Sequence, residues 1–105
     1  MAWVYLIVAG LFEIGWATGL KYTDGFTRLW PSVWTAVSMG FSVWLLAIAL
    51  RSIPVGTGYA IWTGIGAAGT AVAGMILFGE SRDFIRIGSI LCILAGIIGL
   101  KLATP

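Results

Sequence analysis

Four long apolar runs, joined by connections of a few residues each, leave this chain almost no choice of fold. Residues 2–20 hold one charged side chain, Glu13, and residues 30–50 and 55–78 hold none. A helix of about 20 apolar residues crosses the hydrocarbon core of a bilayer. Pro31 suits the first turn of the second helix, and the third begins just after Pro54. The fourth run is shorter. Residues 87–100 alone make roughly 21 Å of helix, too little to cross. Taking in Phe84, Ile85 and Leu102, with Arg86 and Lys101 snorkelling to the headgroups, gives a span over 84–102.

The connections confirm the economy. "KYTDGFTRL" carries an Asp-Gly turn, "RSIP" is minimal, and "GESRD" offers Ser81 as a helix cap. No soluble domain fits between the spans, and no internal repeat is visible. The reading is an all-α membrane protein whose residues 1–105 form a single four-helix membrane domain. Trp3, Tyr5 and Trp30 fall near span ends, where aromatic rings favour the headgroup region. The first run lacks a basic leader and continues past signal-peptide length, so it reads as a retained helix.

Composition excludes most other functions. With 60% hydrophobic and only 10% charged residues, the chain cannot cover a water-soluble surface. The net charge is +2 and the basic residues are scattered, which gives nucleic-acid binding no support. One cysteine, Cys92, and no histidine rule out an intrachain disulfide and leave no case for a metal site. Cys92 reads as a small packing residue. No nucleophile–base pair appears, so the chain does not read as an enzyme, and nothing calls for a cofactor. Glu80 and Asp83 read as loop charges near the headgroups. "GIGAAG", from Gly64 to Gly69, matches a dinucleotide fingerprint in letters only, because it lies inside an uncharged span with no strand before it. Its glycines read instead as permitting close packing and a bend of the third helix.

Four spans place both termini on one side of the membrane together with Arg51 and Lys101, and Lys21, Arg28, Arg82 and Arg86 on the other. The bias towards the second side as cytoplasmic is small. Charge alone does not select one orientation.

The residue that demands an explanation is Glu13. A charge at mid-bilayer costs on the order of a few kcal/mol, and an acid near the centre of its span cannot snorkel. It must hold a proton or find a cation. Desolvation favours the neutral form of a carboxyl group, and a nearby cation favours the charged form. A group that holds either partner, and stands empty only at a cost, has the chemistry of an exchanger; the structural alternative is a protonated acid serving as glue between helices. One helical face through Glu13 carries Leu6, Ala9, Gly10, Trp16, Ala17 and Leu20. In the third span Tyr59, Trp62, Gly66, Gly69 and Ala73 share a face, and Ser42 stands midway along the second. A carboxylate with indole and phenol edges suits a planar cation such as guanidinium, which bonds a carboxylate through parallel N–H groups and stacks on aromatic rings. A quaternary ammonium would rely on cation–π contact and apolar space, and composition does not choose between them. In the fourth span Ser89 and Gly96, with Gly88 and Cys92, form a small-residue stripe that reads as a dimer seam.

Glu13, "GFTRLWPS", "IPVGTGYAIWTGIGA" and "GESRD" together resemble the small multidrug resistance family along essentially the whole chain. "FEIGWA", with Trp16 three residues after the acid, Ser42, "WTGIGA" and the "GIIGLK" ending resemble its guanidinium-exporting (Gdx or SugE) branch. Gly58 departs from the family's usual "TAYA". The resemblance implies that Glu13 is shared by protons and cargo, that Ser42, Trp62 and Trp16 hydrogen-bond and orient it, and that Tyr59 stands at the gate of the site. It implies a kink in the third helix at Gly64 and Gly66, and an antiparallel, dual-topology homodimer in the cell's inner membrane. The implied activity is proton-coupled export of guanidinium or substituted guanidinium by alternating access, two protons per cation. The rival readings are a quaternary ammonium or multidrug antiporter, a small accessory membrane subunit, and a passive cation channel.

Overall fold

The computed structural model describes residues 1–104, and all its regular structure is helical. Helix α1 covers Ala2–Tyr22, α2 Leu29–Ala49, α3 Val55–Leu77 and α4 Phe84–Ala103. Each is long and apolar enough to cross a membrane. Sequence makes these helices for one dominant reason: in hydrocarbon, backbone N–H and C=O groups must be paired within the segment. Pro31 falls in the first turn of α2, where its missing N–H breaks no helical bond.

The connections are tied by short-range hydrogen bonds. After α1, Thr23 is buried and donates its hydroxyl to the Leu20 carbonyl at 2.7 Å, while the Phe26 N–H donates to Thr23 Oγ1 at 3.2 Å. Asp24, Gly25 and Phe26 then run left-handed in succession, with φ of 49°, 69° and 65°. At the start of α4 the cap is Asp83, not Ser81. The Arg86 N–H donates to Asp83 Oδ1 at 2.8 Å, and Ser81 supports the cap by donating its hydroxyl to Asp83 Oδ2 at 2.9 Å. Asp83 is thus more than the expected loop charge near the headgroups: its reach to an otherwise unpaired helix-end N–H makes it structural.

The helices lie as a slab of 43 × 34 × 17 Å, with α1 against both α2 and α3, and α4 against α3. The buried core is lopsided. Leu6 and Ala9 of α1, Leu46 and Ala49 of α2, Ile53 and Ile61 pack together at the end of the bundle that holds the chain's N-terminus. Lys101 stands over the Trp3 ring at that end, 4.7 Å from its centroid. The other half of the bundle, towards Lys21 and Arg86, is where space remains.

Candidate functional site

Glu13 lies on α1 just past the core, only 7% exposed. Its carboxylate rests against α3 at Gly66, where any Cβ would collide with it. Among the described residues no side chain donates a hydrogen bond to that carboxylate. It opens instead into a cleft of about 510 Å³ between α1 and α3, lined by Trp16, Thr18, Thr63, Thr70 and others, with Lys21, Glu80 and Arg86 at its mouth. That volume exceeds many times a water molecule's ~30 Å³ share of the liquid.

Ser42 and Trp62 meet beside Glu13 without touching its carboxylate. The Trp62 indole N–H donates to Ser42 Oγ at 2.9 Å, and the Ser42 hydroxyl donates to the Ala9 carbonyl at 2.7 Å. Helical geometry directs the Glu13 N–H to that same carbonyl. The pair therefore braces the helical turn that carries the acid. Among the described residues Ser42, Trp62 and Trp16 make none of the hydrogen bonds to Glu13 implied by the family resemblance: Ser42 and Trp62 satisfy one another and Ala9 first, and Trp16 does not reach the carboxylate. Trp16 does line the cleft, and its Nε1 is buried without a partner. Tyr59 packs on Trp62, with ring centroids 5.6 Å apart, but is 57% exposed and lies outside the Glu13 cleft.

The small residues act mainly by letting helices touch. A Cβ at Gly10 would stand 2.7 Å from Ile65 Cγ2, so Gly10 is filled by α3 and leaves no room for cargo. Gly64 faces Ile97 of α4, 3.0 Å from where a Cβ would stand, and α3 runs as unbroken helix through Gly64 and Gly66. Gly58 is buried against the Leu50 side chain, so its missing Cβ lets the α2–α3 turn close. On α4, Ser89 returns its hydroxyl to the Ile85 carbonyl at 2.7 Å, and nothing lies within 4 Å of a Cβ at Gly96. Cys92 is exposed, not packed, within the single chain.

Sequence reasoning followed the aromatic stripe of α3 and missed the adjoining one. Thr63, Gly66, Ala67, Thr70 and Gly74 form the lining, whereas Gly69 receives Ile14 and Ala73 faces a separate apolar hollow. The available signal was the Thr63–Thr70 spacing of two helical turns around Gly66. Leu20, placed on the Glu13 face, is 37% exposed. Glu80, read as a headgroup charge, sits at the mouth of the cleft paired with Arg86, whose Nη2 is 2.6 Å from Glu80 Oε1.

Comparison with known proteins adds an independent line. Residues 1–98 match the family model described as Small Multidrug Resistance protein. A guanidinium exporter of Yersinia pseudotuberculosis is 61% identical over 104 residues, which is 99% of this chain and 100% of the relative. Guanidinium exporters of Escherichia coli (strain K12) and Proteus vulgaris are 57% and 58% identical, with 99% of this chain covered in each case and 99% and 100% of the relatives.

Proposed function

The chain belongs to the small multidrug resistance family, and we propose that it exports guanidinium in exchange for protons. It is a multi-pass inner-membrane protein with four membrane-spanning helices. The observation that carries the reading is the Glu13 carboxylate, held against Gly66 and facing an open cleft with no internal partner. A carboxylate in that position takes a proton or a cation, and each excludes the other.

The lining favours a flat cation with N–H groups around its edge. The Thr18 and Thr70 hydroxyl oxygens have no partner within the chain, and such oxygens can accept from N–H donors. A quaternary ammonium offers nothing to bond them. Trp16 supplies an aromatic wall in the same cleft. Ser42 and Trp62 act as positioning residues: they hold the Ala9 carbonyl, and through it the Glu13 turn.

Exchange then needs the cleft to face each side in turn. A four-helix slab 17 Å thick does not surround a site, but two copies inserted in opposite directions would, like the inverted repeats of larger transporters. Both Glu13 carboxylates would meet near mid-membrane and titrate as a coupled pair. The open face of α4 with Ser89 and Gly96 is the seam we assign to that homodimer.

Proteoliposomes carrying a pH gradient test the reading, with guanidinium and tetramethylammonium offered in parallel. Guanidinium should move and collapse the gradient, and Glu13→Gln should abolish both. Guanidinium should also bind more weakly as pH falls, because protons occupy the same carboxylate. Transport that persists in Glu13→Gln, or an affinity flat with pH, contradicts competition. Preference for the quaternary ammonium would transfer the cargo to the multidrug class.

A further inference from the structure

The Glu13 cleft contains a second carboxylate, and it already holds a guanidinium group. Gly79 ends α3 in the left-handed region, with φ of 64°, and turns the chain so that the Glu80 N–H donates back to the Gly74 carbonyl at 3.2 Å. The Glu80 side chain folds over Gly74, where a Cβ would collide with its carboxylate. Gly66 does the same for Glu13. Gly66, Thr70 and Gly74 lie at successive four-residue steps on one face of α3, so the two glycine notches are about 12 Å apart along the helix. Thr70 stands midway with its hydroxyl unpaired.

The polar atoms left without partners cluster along this path. Among the described residues, five buried side-chain N or O atoms lack a hydrogen bond, and four of them belong to the cleft lining: Trp16 Nε1, Thr18 Oγ1, Thr70 Oγ1 and Arg86 Nε. Native proteins rarely leave such groups unmet; the two threonine oxygens can accept from an N–H group, whereas Trp16 Nε1 and Arg86 Nε only donate. At the mouth, Arg86 Nη2 bonds both Glu80 Oε1 at 2.6 Å and the Ala71 carbonyl at 3.2 Å. The pair is partly exposed, with side chains 31% and 43% accessible, so a cation in solution can reach it.

We propose that Glu80 is a second cation-receiving carboxylate, an outer subsite for guanidinium at the mouth of the Glu13 cleft, occupied in the resting chain by the Arg86 side chain. Arriving cargo displaces Arg86 from Glu80, and Arg86 keeps its hold on the Ala71 carbonyl. The cation then passes Thr70, which stands between the two notches, to reach Glu13. The proposal rests on guanidinium being the cargo.

If Glu80 and Arg86 were only a structural ion pair, breaking it from either side would have the same effect. If Glu80 receives the cargo and Arg86 competes for it, the two substitutions act in opposite directions. Full-length protein in proteoliposomes, with initial rates measured against guanidinium concentration at a fixed pH gradient and low salt, separates these. Glu80→Gln should raise KM about three- to fivefold, the scale of a partly exposed ion pair. Arg86→Gln should lower KM by a comparable factor, and the double variant should follow Glu80→Gln. Shifts in the same direction, or none, overturn the subsite while leaving the cargo reading intact. Should Glu80→Gln fail to fold, Arg86→Gln decides alone: KM falls or the subsite is wrong. Wild-type protein that moves no guanidinium overturns the cargo reading itself, and the subsite with it.

Discussion

Ser42 is fully buried and its hydroxyl joins three helices, accepting from Trp62 on α3 and donating to the Ala9 carbonyl on α1. Removing either partner is therefore not symmetrical. Ser42→Ala strands the Trp62 indole N–H where nothing replaces its acceptor, a loss of about 1–3 kcal/mol. Trp62→Phe leaves the serine still bonded to Ala9 and loses only the one bond, about 1 kcal/mol, beyond any change in packing. In denaturant titrations in detergent micelles, Trp62→Phe should cost less in the Ser42→Ala background than alone, and simple additivity would mean the bond is not made. Both residues were legible in the sequence as polar groups in apolar spans. Their partners were not, because a rotation of either helix by a fraction of a turn changes which acceptor is reached. Gly10 illustrates the same limit: a small residue beside the acid reads as space, yet Ile65 fills it.

At the scale of the element, the helices follow from apolar length while their ends depend on local polar contacts. The start of α4 is the clearest case. The backbone N–H of Arg86, joined by the Ser81 hydroxyl, holds the Asp83 carboxyl below its ordinary value of 3.8. A carboxylate whose folded value is depressed contributes stability above its unfolded value, and that contribution is lost as pH falls through the folded one. The cap of α4 should therefore be at full strength above about pH 4 and weaken in stronger acid. Asp83→Ala should lower the thermal unfolding midpoint in detergent at neutral pH, with the gap from wild type closing in acid. Asp83→Asn keeps a neutral cap and should show a smaller deficit. A gap that is constant with pH would place the effect elsewhere. The sequence offered Ser81 as the cap and Asp83 as a loop charge, and only the path of the chain after Gly79 brought the aspartate to the helix end.

In the whole molecule, α4 stands apart: it packs along α3, reaches α1 through Lys101 over Trp3, and has Ile90 as its one buried residue. An uncovered apolar face is natural in lipid, but the glycines of this face do little there, since lipid tails gain nothing from a small residue. They allow close approach of a second helix. If that helix is α4 of another copy, a bismaleimide should link chains through the exposed Cys92 in intact lipid, and Gly96→Leu should suppress the product. Cross-linking unaffected by Gly96→Leu would place the seam elsewhere. Four membrane spans and an acid within the first are legible in the residues alone, because apolar length and the cost of desolvating a charge are properties of segments, independent of how they pack. It took the packing of the helices to show that the acid opens towards one half of the bundle, that Ser42 and Trp62 bond the Ala9 carbonyl and not the acid, and that Glu80 shares its cleft. Those facts depend on the rotation of α1 against α3, which is set by which glycines accept which side chains across the contact.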